Sequence, residues 1–314
     1  MARKNLPHGM EFTVPLGSPF NLEHTLVSGQ TFRWAKRGDW WYGVVGGGVL
    51  KAKQEGDLLK CESSSDALRA PEVSDYFRLE EDLEHVLASI SKDATITRAV
   101  ERFYGLRLIR QDRWECLASF VLATNANIPR IAKMVEAVSR RYGEPFEFEG
   151  ETYHSFPSPY ALARTGAEDL RRCGLGYRAP FLKKVASSVT RGDVDFDAVA
   201  LLPYEEARGL LLKELFGEKV LLGVGPKVAD CVLLYSCGKD EAFPIDVWIA
   251  RAVARSYPRL MTKGLRERLK RDGKARLGAG EYVKLSASLR RYFGRYAGYA
   301  QQYLYMAARS EVLS

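Results

Sequence analysis

The sequence is poor in the residues that staple or metallate a fold. It has five cysteines in 314 residues, Cys61, Cys116, Cys173, Cys231 and Cys237, with no CxxC pair. An odd, scattered set argues against a disulfide framework. The four histidines, His8, His24, His85 and His154, lie far apart, so no zinc and no other metal or cofactor is expected. No apolar run approaches the roughly 20 residues that span a bilayer as a helix, and no membrane partner is expected. The opening MARKNLPHGMEF lacks the apolar stretch of a secretory signal, so an intracellular protein is expected. Positive charge is what the chain has in excess. It carries 47 Lys and Arg against 39 Asp and Glu, a net charge of +8 and a pI near 9.1. That balance suits a polyanionic partner.

Residues 1–95 read differently from the rest. Thr31–Trp34, Trp40–Val45, Gly48–Lys53 and Leu58–Cys61 are short β-rich runs separated by RGD, GGG and EGD turns. They predict an antiparallel sheet. From residue 96 to 314 the pattern is mostly helical, so the fold class is α+β, a sheet domain followed by a helical region. Length and an apolar share of 46% allow a substantial core.

The chain is organised around Leu221–Asp246. Gly223 and Gly225 flank Val224 in a tight turn, and Pro226 stands at a first helical position, where its missing N–H costs nothing. Val228, Cys231, Val232 and Tyr235 then recur at helical spacing, and Glu205–Phe216 reads as a preceding helix. The prediction is helix, Gly-rich hairpin, helix over residues 205–238. Hairpin N–H groups and a helix N-terminus offer positive dipole to a phosphate, here through Gly223 and Gly225. Lys227 falls in the first turn. Asp246, nineteen positions on, stands as an N-cap before the helical run Val247–Tyr257. A lysine in such a turn is usually a phosphate contact or a solvated charge. One held at a helix start and out of water can shed its proton and act as an amine nucleophile. The residue alone leaves both readings open.

Other punctuated stretches have equally plain readings. Thr124–Arg130 (TNANIPR) is a break between helices, where Asn residues cap and turn. Cys173–Ala179 (CGLGYRA) is a second Gly-rich turn. Tyr299–Tyr305 (YAQQYLY) is an aromatic helix, a stripe that is core more often than ligand site. Lys263–Arg276 alternates charge as a solvated helical face does.

Taken together these strings carry a resemblance. GVGPKVAD followed by PIDVW resembles the helix-hairpin-helix Gly/Pro/Asp superfamily of base-excision DNA glycosylases. A lysine at this position marks the members that also cleave the strand. The resemblance therefore implies Lys227 as nucleophile on the sugar C1′ and Asp246 as its carboxylate partner. SGQTFRW (Ser28–Trp34) and GLRLIRQDRWEC (Gly105–Cys116) resemble the 8-oxoguanine DNA glycosylase/lyases, in the long form that keeps an N-terminal sheet domain. In that family the Gly29 carbonyl accepts the N7 hydrogen that guanine lacks. Gln301 meets the Watson–Crick edge of the flipped base, and Tyr305 and Cys231 meet its two faces. Asn125 and Arg130 face the orphaned cytosine, Tyr177 wedges into the duplex and Arg178 reads the cytosine. The expected partner is double-stranded DNA containing 8-oxoguanine, preferably opposite cytosine, bound by a monomer. No cysteine follows Cys237, so the iron–sulfur branch of the superfamily does not fit.

Three departures from the family pattern stand out. Trp248 replaces a histidine that contacts DNA phosphate, Ala126 replaces the middle of three asparagines, and Tyr305 replaces a phenylalanine. Two competing readings remain at this point: an alkyl-purine glycosylase, and a non-catalytic helix-hairpin-helix DNA-binding protein using Lys227 only for phosphate.

Overall fold

Five strands open the chain: β1 (Met10–Pro15), β2 (Trp34–Arg37), β3 (Trp40–Val45), β4 (Gly48–Glu55) and β5 (Leu58–Ser63). They form one antiparallel sheet in the order β1-β5-β4-β3-β2. The computed structural model describes residues 9–216, 225–271 and 276–313. Gly46 and Gly47 join β3 to β4 with φ of 56° and 79°, the left-handed pair that a two-residue hairpin requires. Period-two alternation sorts β4 between two cores. Leu50 and Ala52 face a cluster with Leu59, Cys61, Val73 and Phe77, whereas Val49 faces Phe146 and Phe148.

Three details differ from the sequence reading. The strand expected from Thr31 begins only at Trp34. Gln30 holds the preceding segment to residues 107 and 109, Phe32 packs edge-on to Phe120, and Arg33 pairs with Glu115. A helix not expected from the sequence, Ala70–Phe77, follows the last strand of the sheet, with proline in its first turn. A hairpin of β6 (Pro145–Phe148) and β7 (Glu151–His154) interrupts the helical region and covers the sheet's second face. Lys51 binds Glu149 at 2.7 Å and Arg37 binds Glu151 at 2.5 Å across that contact.

The larger core runs from Leu83 to Met306. At its centre, helix Arg113–Leu122 buries Trp114 and every residue from Cys116 to Leu122. Helix Pro226–Ser236, buried from Val228 onward, packs beside it. Helices Val247–Ser256 and Ala297–Leu313 pack against each other on the other side. The expected helices before and after the Gly-rich hairpin are present as Tyr204–Phe216 and Pro226–Ser236. The hairpin itself, including Gly223, lies outside the described residues.

Candidate active site

Gly225 caps helix Pro226–Ser236 in an extended conformation, and Pro226 starts it. This sets Lys227 on the first turn, half-buried, with Nζ 4.8 Å from the centroid of the Phe120 ring. Cys231 lies one turn further on and is buried. Burial pushes its thiol up to about 11, against the opposing charge of Lys227. Asp246 caps helix Val247–Ser256, accepting the Ile249 N–H at 2.8 Å. Burial raises its carboxyl above the ordinary value, while the Ile249 N–H and the Lys227 charge pull the other way.

The segment Ser28–Gln30 reaches this point from the N-terminal part of the chain. Gly29 has φ +78°, and a Cβ there would stand 2.9 Å from Ile128 Cδ1 and 3.2 Å from Tyr305 Cε1. Glycine is therefore required twice, by conformation and by space. None of the described residues donates a hydrogen bond to the Gly29 carbonyl. Buried side chains fix the loop on both flanks. Gln30 Nε2 donates to the Thr25 and Arg107 carbonyls at 3.1 and 2.8 Å, and its Oε1 accepts the Ile109 N–H at 2.8 Å. Gln302 Nε2 donates to the Ser28 carbonyl at 2.7 Å while its Oε1 accepts Tyr235 Oη at 2.6 Å.

These segments enclose a cavity of about 40 Å³. Six expected site residues line it: Gly29, Lys227, Cys231, Asp246, Gln301 and Tyr305. Ser28, Phe120, Tyr235 and Pro244 complete the wall and were not singled out from sequence. Tyr235 stacks on Phe120 at 5.5 Å, so the surface under the lysine is a rigid aromatic pair.

Asn125, Arg130, Tyr177 and Arg178 form a second group that does not line the cavity. Asn125 adopts φ +53° and donates to Tyr177 Oη at 3.0 Å. Tyr177 is 48% exposed. Arg178 is buried and stacks on Tyr177 at 4.5 Å; its Nε and Nη2 bind the Thr124 carbonyl at 2.8 and 2.5 Å, and Nη2 also reaches the Asn125 carbonyl. Burial lowers its guanidinium pKa; Tyr177 raises it and the nearby Arg130 charge lowers it further. Arg130 is exposed on helix Ile128–Tyr142, which Asn127 caps. Ile128, on the same helix as Arg130, stands against the Gly29 position, so this group lies beside the cavity. Trp248 stands apart from both groups, half-buried, with the Arg251 guanidinium 5.6 Å from its ring centroid.

A buried network supports the site from behind. Asp230 accepts Tyr204 Oη at 2.7 Å, Arg208 Nε at 2.9 Å and Tyr282 Oη at 2.7 Å. Tyr282 Oη in turn accepts the N–H of Ile245, the residue before Asp246.

Two family models match the chain in succession. The 8-oxoguanine DNA glycosylase N-terminal domain covers residues 14–117, and the HhH-GPD superfamily base excision DNA repair protein covers 118–271. The fold around Lys227 and Asp246 is thus that of a helix-hairpin-helix base-excision DNA repair protein. Relatives narrow the class. A "Probable N-glycosylase/DNA lyase" of Methanothermobacter thermautotrophicus is 33% identical over 74% of this chain and 72% of its own length. An N-glycosylase/DNA lyase of Arabidopsis thaliana is 30% identical over 95% of this chain and 77% of its own. The Clostridium acetobutylicum 8-oxoguanine glycosylase/lyase, solved with double-stranded DNA containing cytosine opposite 8-oxoguanine, superposes with a TM-score of 0.80. It is 27% identical and covers 98% of this chain and 100% of its own. The chain belongs to the N-glycosylase/DNA lyase family, with the N-terminal domain of the 8-oxoguanine glycosylases.

Proposed function

We propose that the protein excises 8-oxoguanine from duplex DNA, preferably opposite cytosine, and cleaves the strand at the same site. The observation that carries this reading is one cavity shared by an amine, a half-buried carboxylate and a glycine with φ +78°. In the proposed sequence the damaged nucleotide leaves the stack and its base enters the cavity. Gly29 presents a backbone acceptor to N7–H, Gln301 bonds the Watson–Crick edge, and Tyr305 and Cys231 hold the faces. Lys227, deprotonated, attacks C1′ as the N-glycosidic bond breaks and the base departs with the electron pair. Asp246 stabilises the positive charge that develops on the sugar and relays protons; burial raises its affinity for a proton, as that role needs. The sugar ring opens to a Lys227 Schiff base, a C2′ proton is lost, and the 3′ phosphate leaves by β-elimination.

On the opposite strand Tyr177, the exposed aromatic of the second group, fills the gap left by the flipped base. Asn125 and Arg130 contact the orphaned cytosine. Arg178 joins them through Nη1, because Nε and Nη2 already hold the Thr124 and Asn125 carbonyls. The protein works as a monomer, inside the cell, where its substrate is. No helix among the described residues is long and apolar enough to cross a membrane.

Borohydride trapping on a duplex with one 8-oxoguanine opposite cytosine tests the reading. A covalent protein–DNA adduct and a cleaved strand are expected. Base release without adduct would point to an alkyl-purine type of chemistry, and binding alone to a non-catalytic DNA-binding protein.

A further inference from the structure

A second cavity, about 170 Å³, opens where helix Val247–Ser256 packs on helix Ala297–Leu313, with Thr95 at its edge. Two arginines, Arg251 and Arg255, and the indole of Trp248 line it, and none of its lining residues is acidic. Arginine elsewhere in this protein is commonly answered by a carboxylate: Arg78 by Glu81 and Asp240, Arg113 by Asp197, Arg290 by Glu205. Arg251 is not. It is half-buried, its Nε is shut off from solvent, and it makes no hydrogen bond or ion pair with the described residues. Among the described residues its charge meets the face of Trp248. Its Nε is withdrawn from water without a partner, and the rest of the guanidinium stays open to an anion from outside.

We infer that this cavity seats a phosphodiester of the bound DNA, with Arg251 as the cation and Trp248 as the platform that holds it. The inference rests on the reading that the protein acts on duplex DNA. The two cavities share their helices. Trp248 lies two residues past Asp246, and Leu304 of this wall precedes Tyr305 of the other. On this inference the backbone of a duplex bound at the first cavity runs past the second, whether or not a base is flipped. A planar guanidinium offers phosphate two parallel N–H donors, and stacking on an indole restricts its rotation beforehand. Trp248 itself has only one N–H and no charge to give. The pair thus divides the work: one residue orients, the other binds.

The test is the salt dependence of binding to undamaged duplex and to duplex with 8-oxoguanine opposite cytosine. Each neutralised phosphate adds about 0.9 to the slope of log K against log salt. R251Q is expected to lower the slope by about that amount and to weaken binding roughly 5- to 10-fold on both duplexes alike. R251K keeps the charge and retains the slope. A wild-type slope in R251Q, or a loss confined to the damaged duplex, overturns the inference; so does an R251K slope as low as that of R251Q. Should R251Q not fold, the wild-type protein still decides. A single methylphosphonate, stepped along the strand beside the lesion, must reproduce the slope loss at one position, and a scan without such a position overturns the seat. Failure of the wild type to excise 8-oxoguanine sinks the proposed function instead, and the undamaged-duplex slope still judges Arg251.

Discussion

Tyr282 Oη donates to Asp230 at 2.7 Å and accepts the Ile245 N–H at 3.2 Å. One hydroxyl therefore ties the helix that carries Lys227 to the backbone that presents Asp246. Tyr282→Phe leaves a buried carboxylate one donor short and a backbone N–H unpaired. The expected loss is about 1–3 kcal/mol of stability, read by denaturant unfolding. The single-turnover excision rate should fall as well, with little change in DNA affinity, because the two reacting groups lose their common reference. Lower stability with an unchanged rate would reduce the network to a support for the fold.

Lys227→Gln keeps a polar side chain of similar reach over Phe120 and removes the amine. Borohydride trapping should vanish while binding to damaged duplex persists within a few-fold, since the amine forms the covalent bond and many other groups hold DNA. An adduct formed by the variant would assign the nucleophile elsewhere.

Gly29→Ala forces an L side chain into φ +78° and drives its Cβ against Ile128 and Tyr305. The isoleucine tip can yield, but Tyr305 is a wall of the base cavity. Strain of about 1–3 kcal/mol and a shifted wall should cut 8-oxoguanine excision roughly 10- to 100-fold. Cleavage of a ready-made abasic site, which presents no base to read, should stay within about threefold by the same reasoning. Equal losses on both substrates would show that the glycine serves the fold alone.

Asp246 couples activity to pH and to stability with opposite signs. Its folded pKa is raised by burial, so the folded state binds the proton more tightly than the unfolded chain does. Its contribution is most favourable below the unfolded value and is lost as pH rises through the folded one. Asp246→Asn keeps the cap and removes the titration. Its thermal midpoint should therefore gain on the wild type as pH rises from about 3.9, the ordinary Asp value, toward neutrality. Excision should fall about 10²- to 10⁴-fold, the usual worth of a positioned acid–base group. A gap that narrows with rising pH would show that Lys227 and the Ile249 N–H outweigh burial.

The sequence made part of this site legible because some constraints leave a local mark. Lys227 and Asp246 are framed by Gly, Pro and a helix start, and Gln301 and Tyr305 stand one turn apart. The β6–β7 hairpin left a mark too, an alternating PFEFEGETYH with φ of 50° and 77° at Glu149 and Gly150. It was lost among helical neighbours. Phe120 and Tyr235 could not be separated from core, since burial gives an aromatic wall and an aromatic core the same spacing. Gln302 looks like any helical glutamine until Ser28, 274 positions away, is placed beside it. Arg178 shows the same limit on the other strand's side. The resemblance implied a base contact, and only the fold reveals two carbonyls already on its fork.

The bond from Gln302 to the Ser28 carbonyl sets an order for the birth of the enzyme. The ribosome delivers Ser28 and Gly29 first, Lys227 and Asp246 about 200 residues later, and Gln302 after both. A nascent chain that stops short of helix Ala297–Leu313 owns the nucleophile, its carboxylate and the glycine. It lacks the clasp on one flank of the reading loop, together with Gln301 and Tyr305 from the same helix. Long-range closures of this kind come late in folding, since loop entropy must be overcome before the contact repays it. Helix Ala297–Leu313 also packs on the one Asp246 caps, so its docking completes the reacting pair and the reading loop in a single closure.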